Sequence, residues 1–254
     1  MFRLFTASNL NDNYIQFIPF VIDFYKNFYN NIDISIILVA DSIPSNLLKY
    51  EEYIILFKPI DGISTRYISQ NIRYLIPALS KTDEWNVLLD IDYILTLTNL
   101  NKIVQNHNEK SFINLGKYTL KEIDEYKMFP FAPSFVKSSL LRKKLKINNM
   151  NDVIKFLKNN YTKLNNVYGY EWTIDQKIIY KHFRENLVKY KRYDLDRLDR
   201  EYCNLHNTKY LLNNLLDLHL PRPYNKYKSH LIPVSSYLCI YKPKNDDLLQ
   251  LEYY

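Results

Sequence analysis

Glycine is nearly absent from this chain. Gly62, Gly116 and Gly169 are the only three in 254 residues, so neither a P-loop nor a GxGxxG dinucleotide loop can be written onto it. Any phosphate must be held by other groups. Cysteine is as scarce: Cys203 and Cys239 are too few for a disulfide framework and lack the CxxC spacing of zinc or redox sites. Long apolar runs are missing too. Phe17 to Phe24 and Tyr53 to Phe57 are broken by charge well before the roughly 18 to 20 residues a membrane helix needs. Met1-Phe2-Arg3-Leu4-Phe5-Thr6 has no basic-then-apolar secretory leader, so a cytoplasmic protein without a transmembrane segment is expected.

What the chain does have is 47% hydrophobic residues, enough for one generous core, and a net charge of +7. Such a field favours anions: phosphates, nucleic acids or acidic lipid surfaces. The cations concentrate at Lys137 to Lys146 and Lys177 to Arg200, stretches that read as solvated helix faces as readily as binding stripes.

The hydrophobic pattern alternates between two periods. Phe2 to Ala7 reads as a strand, Asn9 to Asn13 as a break, and Ile15, Ile18, Val21, Ile22, Tyr25 and Phe28 as the apolar stripe of a helix. Asp33 to Ala40 and Asn86 to Leu89 read as strands buried on both faces, Tyr53 to Phe57 as a third short strand, and Ser64 to Leu79 as an amphipathic helix. Strands alternating with helices predict an α/β class with a mostly parallel sheet flanked by helices. Ligands then sit outside the carboxyl ends of the strands, where Thr6-Ala7-Ser8, Asp41 and Asp90-Ile91-Asp92 fall. Beyond residue 100 the pattern loosens into a strand at Phe129 to Val136, helices at Ser138 to Leu145, from Met150 and at Trp172 to Phe183, and an irregular C-terminal portion. No linker divides the chain, so a single domain spanning 1–254 is expected, with 1–100 as its nucleotide-binding half and 101–254 as the acceptor-side half and tail.

Asp90-Ile91-Asp92 follows an apolar strand directly. In an extended segment, residues i and i+2 point to one side, so both carboxylates can face one hard cation such as Mn²⁺ or Mg²⁺, which in turn neutralises phosphate oxygens. The competing reading has one acid capping a turn and the other solvated. Asp194-Leu195-Asp196 has the same spacing but lies among Lys191, Arg192, Arg197 and Arg200, where salt-bridged surface is the better reading. His107 and His182 read as surface residues.

Arg73-Tyr74-Leu75-Ile76-Pro77 followed by Asn86-Val87-Leu88-Leu89-Asp90-Ile91-Asp92 resembles the helix-to-strand passage of GT-A glycosyltransferases, nearest the group containing glycogenin and bacterial galactosyltransferases. The resemblance implies a GT-A, Rossmann-like fold and a nucleotide-sugar donor, with a UDP-sugar expected, bound through a metal held by Asp90 and Asp92. It implies that Thr6, Ala7, Ser8 and Tyr14 line the base and ribose, that Arg73 and Ile91 belong to the donor site, and that a late histidine completes the metal shell. The resemblance implies His219 in His219-Leu220-Pro221-Arg222-Pro223-Tyr224-Asn225-Lys226 as that histidine, with His230 as the alternative, and Lys226 as the residue that touches the diphosphate. Asp175-Gln176 resembles the pair beside the acceptor. The family's Asn-x-Gly segment has no match, its place being taken by Phe131-Ala132-Pro133-Ser134-Phe135, and the Gly and Trp around the family's lysine are missing here.

The expected reaction is sugar transfer to a hydroxyl of a glycan, protein or small-molecule acceptor, with no nucleic acid involved. If it inverts the anomeric carbon, Asp175 takes the acceptor proton with Glu171 behind it; a retaining reaction needs no such base. Two rivals stand beside this reading. A nucleotidyltransferase would offer a Gly- and Arg-rich loop after the first strand, which Asn9 to Asn13 does not. A basic nucleic-acid-binding protein would draw on the aromatic and basic residues from Tyr180 to Tyr202.

Overall fold

In a computed structural model, the described residues are 2–30, 32–116, 118–130, 133–161, 173–191, 197–198, 217–240 and 250–251. The N-terminal half follows the expected alternation: β1 (Phe2–Asn9), the short α1 (Asp12–Ile15), α2 (Phe17–Phe28), β2 (Ile32–Val39), a 3-10 run at Ser45–Tyr53, β3 (Ile54–Phe57), α3 (Thr65–Leu75) and β4 (Trp85–Leu88). α3 stops short of the predicted Leu79. Proline at position 77 has no N–H to donate to the Arg73 carbonyl, so the α-helical ladder breaks after Ile76, itself still helical, and the chain tightens into a 3-10 turn at Pro77–Leu79.

After β4 come β5 (Tyr93–Leu95), α4 (Leu100–Val104), β6 (Phe112–Asn114), α5 (Leu120–Tyr126), β7 (Ser134–Lys137), α6 (Ser138–Leu145), α7 (Met150–Asn160), α8 (Ile174–Phe183), β8 (Leu187–Lys191), β9 (Arg197–Leu198), β10 (Asp217–His219), α9 (Tyr224–Ile240) and β11 (Gln250–Leu251). The strand expected from Phe129 is therefore shorter, and Phe129-Pro130 belongs to a loop. With so little glycine, α5 and α6 end on lysines in the left-handed region, Lys127 (φ 51°) and Lys146 (φ 58°), a conformation that costs a residue with a Cβ roughly 1–2 kcal/mol.

The main sheet has the order β11-β8-β6-β7-β4-β1-β2-β3. β1 pairs in parallel with β2 and β4, β2 with β3, and β6 with β8. β7 runs antiparallel between β4 and β6, and β11 antiparallel beside β8. β2 is buried from Ile34 to Val39 without alternation, as a strand covered on both faces must be. Beside it, Leu4-Phe5 of β1 and, one strand further, Val87-Leu88 of β4 join it with α2 and α3 in one continuous core. Asn86, fully buried in β4, donates its side-chain Nδ2 to the Val136 carbonyl and to Ser138 Oγ, both at 3.0 Å, and so fixes β7 and the start of α6.

A second, three-stranded sheet has the order β5-β10-β9. β10 lies antiparallel on β5, with Leu218 opposite Ile94 and His219 opposite Tyr93. This pairing carries a late segment of the chain back to the residues that follow Asp92. Among the described residues, no helix is long and apolar enough to cross a membrane.

Candidate active site

α3 carries two stripes. Ile68, Ile72 and Leu75 are buried against the sheet, while Arg66, Gln70 and Arg73, spaced four and three residues apart, share another face. That polar face forms one wall of a cavity of about 550 Å³. Ala7, Ser8 and Asn9 at the end of β1, Tyr14 of α1, the segment from Asp90 to Tyr93 and the first turn of α8 contribute other walls. Asn9 Nδ2 donates to Thr65 Oγ1 at 3.1 Å and ties the end of β1 to the start of α3.

The two acids do not sit in an extended strand. The Leu89 N–H donates to the Phe5 carbonyl at 3.0 Å, continuing the β1–β4 ladder, and then the chain turns, with the Tyr93 N–H donating to the Asp90 carbonyl at 3.1 Å. The acids therefore lie in a turn rather than in the extended segment expected for them, and both line the cavity. Asp90 keeps 40% of its side chain exposed and accepts a hydrogen bond from Arg73 Nη1. Arg73 Nη2 donates to Asp175 Oδ2 at 2.5 Å, and both of these residues are almost fully buried, at 5% and 2% exposure. Burial lowers the pKa of the guanidinium, and Asp175 raises it again. Burial likewise raises the pKa of the Asp175 carboxyl, and Arg73 opposes it.

Asp92 is held differently. Its carbonyl accepts from the Leu220 N–H at 2.8 Å, a bond that extends the β5–β10 pairing. Its carboxylate, 4% exposed, has His219 Nε2 at 3.5 Å and Arg222 Nε at 3.3 Å, both on Oδ2. The Arg222 guanidinium lies over the Tyr14 ring, 4.7 Å from its centroid, and donates to the Tyr14 hydroxyl.

Tyr118 and Pro130 close the far side. Asn114 organises them: its Oδ1 accepts from the Gly116 N–H at 3.0 Å and its Nδ2 donates to the Pro130 carbonyl at 2.7 Å, while Lys189 Nζ donates to the Gly116 carbonyl at 2.7 Å. A Cβ on Gly116 would collide with the Pro130 ring. Gly116→Ala is accordingly expected to cost about 1–3 kcal/mol through overpacking, read as a lower urea midpoint with an unchanged m-value.

Of the residues singled out from sequence, Ala7, Ser8, Tyr14, Arg73, Asp90, Ile91, Asp92, Asp175 and His219 all line this cavity. Thr6 is buried behind the lining. Lys226 is exposed on α9 with its ammonium 5.4 Å from the centre of the Tyr227 ring, and neither it nor Asp41 lines the cavity. Glu171, the Asp194–Asp196 pair and Phe131-Ala132 lie outside the described residues, as does the side chain of His230. His107 and His182 are half-buried rather than surface residues. His107 Nε2 meets the Tyr190 hydroxyl at 2.8 Å, and burial lowers the pKa of both rings. Sequence reading missed Arg66, Gln70 and Arg222. The 66/70/73 polar stripe on an otherwise buried helix was the available signal for the first two.

Among the described residues, no three His, Cys, Asp or Glu side chains stand together as a ready-made metal group. The donor set nevertheless fits a hard divalent cation. Asp92 and His219 are already in contact at one edge of the cavity, and Asp90, two residues away, is the half-exposed member whose carboxylate can turn from Arg73.

No protein-family model matches the chain, and no curated protein matches its sequence. Solved structures do match. The galactosyltransferase LgtC, crystallised with donor and acceptor sugar analogues, superposes with a TM-score of 0.52 at 11% identity over 93% of this chain and 95% of its own. The apo form of the glycosyltransferase GlyE from Streptococcus pneumoniae TIGR4 gives 0.51 at 14% identity, covering 95% of this chain and 64% of GlyE. The fold is the GT-A fold of these glycosyltransferases.

Proposed function

We propose that the protein is a metal-dependent glycosyltransferase that moves a sugar from a nucleoside diphosphate donor, a UDP-sugar first among candidates, to an acceptor hydroxyl. The observation that carries this reading is the 3.5 Å approach of His219 to Asp92, at the carboxyl edge of a GT-A sheet and inside a cavity large enough for a nucleotide sugar. Two acids and an imidazole near one turn are what a divalent cation on a diphosphate needs; bound there, the cation supplies Lewis-acid stabilisation of the leaving group.

The chain's own residues supply the rest. Ala7, Ser8 and Tyr14 offer a wall for the base and ribose. Arg73, held by the buried Asp175, keeps a positive charge in the cavity lining, where it can stabilise charge that develops on a leaving group. If the reaction inverts, Asp175 accepts the acceptor proton, and its burial shifts its pKa in the upward direction a base requires.

The test is a thermal-shift screen of UDP-, GDP- and TDP-linked sugars with and without Mn²⁺. A donor at a hundredfold its dissociation constant should add about 2.7 kcal/mol of stability, dependent on the metal. No metal-dependent shift with any donor, alongside salt-sensitive binding of mixed DNA or RNA, would replace this reading with that of a nucleic-acid-binding protein.

A further inference from the structure

We infer that Arg222, rather than Lys226, is the cation that binds the donor diphosphate, and that it serves as the counter-ion of Asp92 until a divalent cation takes that carboxylate. The inference rests on the glycosyltransferase reading and adds to it a residue and an exchange of partners. Lys226 is exposed on α9, does not line the cavity, and has its ammonium 5.4 Å from the centre of the Tyr227 ring. Arg222 lies four residues earlier, in the connection between β10 and α9, and is on the cavity wall, with only 18% of its side chain exposed. Its two named anchors lie on opposite sides of the metal question. Nε stands 3.3 Å from Asp92 Oδ2, the oxygen that His219 also approaches, while the guanidinium is stacked on the ring of Tyr14 and donates to its hydroxyl.

The electrostatics of the two states differ. Without a divalent cation, the buried Asp92 carboxylate attracts Arg222. With the carboxylate neutralised by a metal, that attraction ends, and the planar fork, still oriented by Tyr14, faces the phosphate oxygens it is shaped to bind in pairs. Arg222 therefore competes with the metal when the cavity is empty and cooperates with it when a diphosphate is present.

The opposed signs make the test. Mn²⁺ binding in the absence of nucleotide, and UDP binding at saturating Mn²⁺, are measured by calorimetry on wild type, Arg222→Gln, Arg222→Lys and Lys226→Gln, with unliganded melting temperatures as the folding check. Arg222→Gln is expected to weaken UDP about 10- to 100-fold while strengthening Mn²⁺ alone several-fold. Arg222→Lys should fall between it and wild type, and Lys226→Gln should change either affinity less than about twofold. Unchanged UDP affinity in Arg222→Gln, or parallel losses of UDP and Mn²⁺ affinity, would overturn the inference and leave the glycosyltransferase reading standing. A wild type that binds neither Mn²⁺ nor UDP would overturn both.

Discussion

Replacing Arg73 by methionine should cost about 3–5 kcal/mol of folding stability, because it leaves the Asp175 carboxylate buried at 2% exposure with its main counter-ion gone. Asp90, 40% exposed on the other side of the guanidinium, can turn to water and adds little to that loss. The deficit carries a pH signature whose sign is fixed. Burial already holds the folded pKa of Asp175 above its unfolded value, with Arg73 working against the shift, so removing Arg73 raises the folded value further. A carboxyl of this kind binds its proton more tightly when folded. Stability is then greatest at low pH and is lost as pH rises from the ordinary carboxylate range through the raised folded value. Urea unfolding at about pH 5 and about pH 8 should show the variant's deficit widening at the higher pH. A deficit that is the same at both values would point to lost packing instead.

Asp92→Asn preserves shape and removes charge. Without the carboxylate that meets His219, the donor set keeps only Asp90 as an anion, and the Mn²⁺-dependent part of the donor-induced thermal shift should vanish. Transfer of sugar should fall by roughly 10²–10³-fold or more, as when a group that stabilises transition-state charge is removed. The unliganded protein should remain folded, since the substitution leaves in place the backbone carbonyl that accepts from the Leu220 N–H and fastens the two segments. A wild-type shift with Mn²⁺ in this variant would remove Asp92 from the metal site.

The N-terminal half of the fold was legible because its strands bury both faces. Ile34 to Val39 and Val87 to Leu89 are apolar or buried without interruption, a pattern that survives whatever packs on them. The C-terminal half was less so. β6, β8 and β10 are three to five residues long and owe their pairing to partners distant in sequence, so no local period announces them. α5 could have been found. Thr119 and Glu122 form a reciprocal capping box, a signal written in the sequence three residues apart. In the site, the acids and His219 were visible as residue types with metal chemistry. The turn at Ile91-Asp92 was not, because Asp90 and Asp92 are placed by Arg73 and by β10, neither of which is local. The placement of the two neighbouring cations is not local either: Arg222 lines the cavity beside Asp92 and Tyr14, which are distant in sequence, while Lys226 lies exposed on α9.

The seam between β5 and β10 also sets an order of events on the ribosome. Asp90 and Asp92 emerge early, with the strands of the parallel half, but their partners in the seam, His219, Leu220 and Arg222, leave the exit tunnel far later. Docking of β10 cannot precede its own synthesis, and it closes a long loop between Asp92 and Asp217, so it falls after the parallel half has been made. A nascent chain stalled before Asp217 would present Asp92 at an open turn without the imidazole and guanidinium that flank it in the finished fold. Arrival of β10 and completion of the charge network are thus the same step.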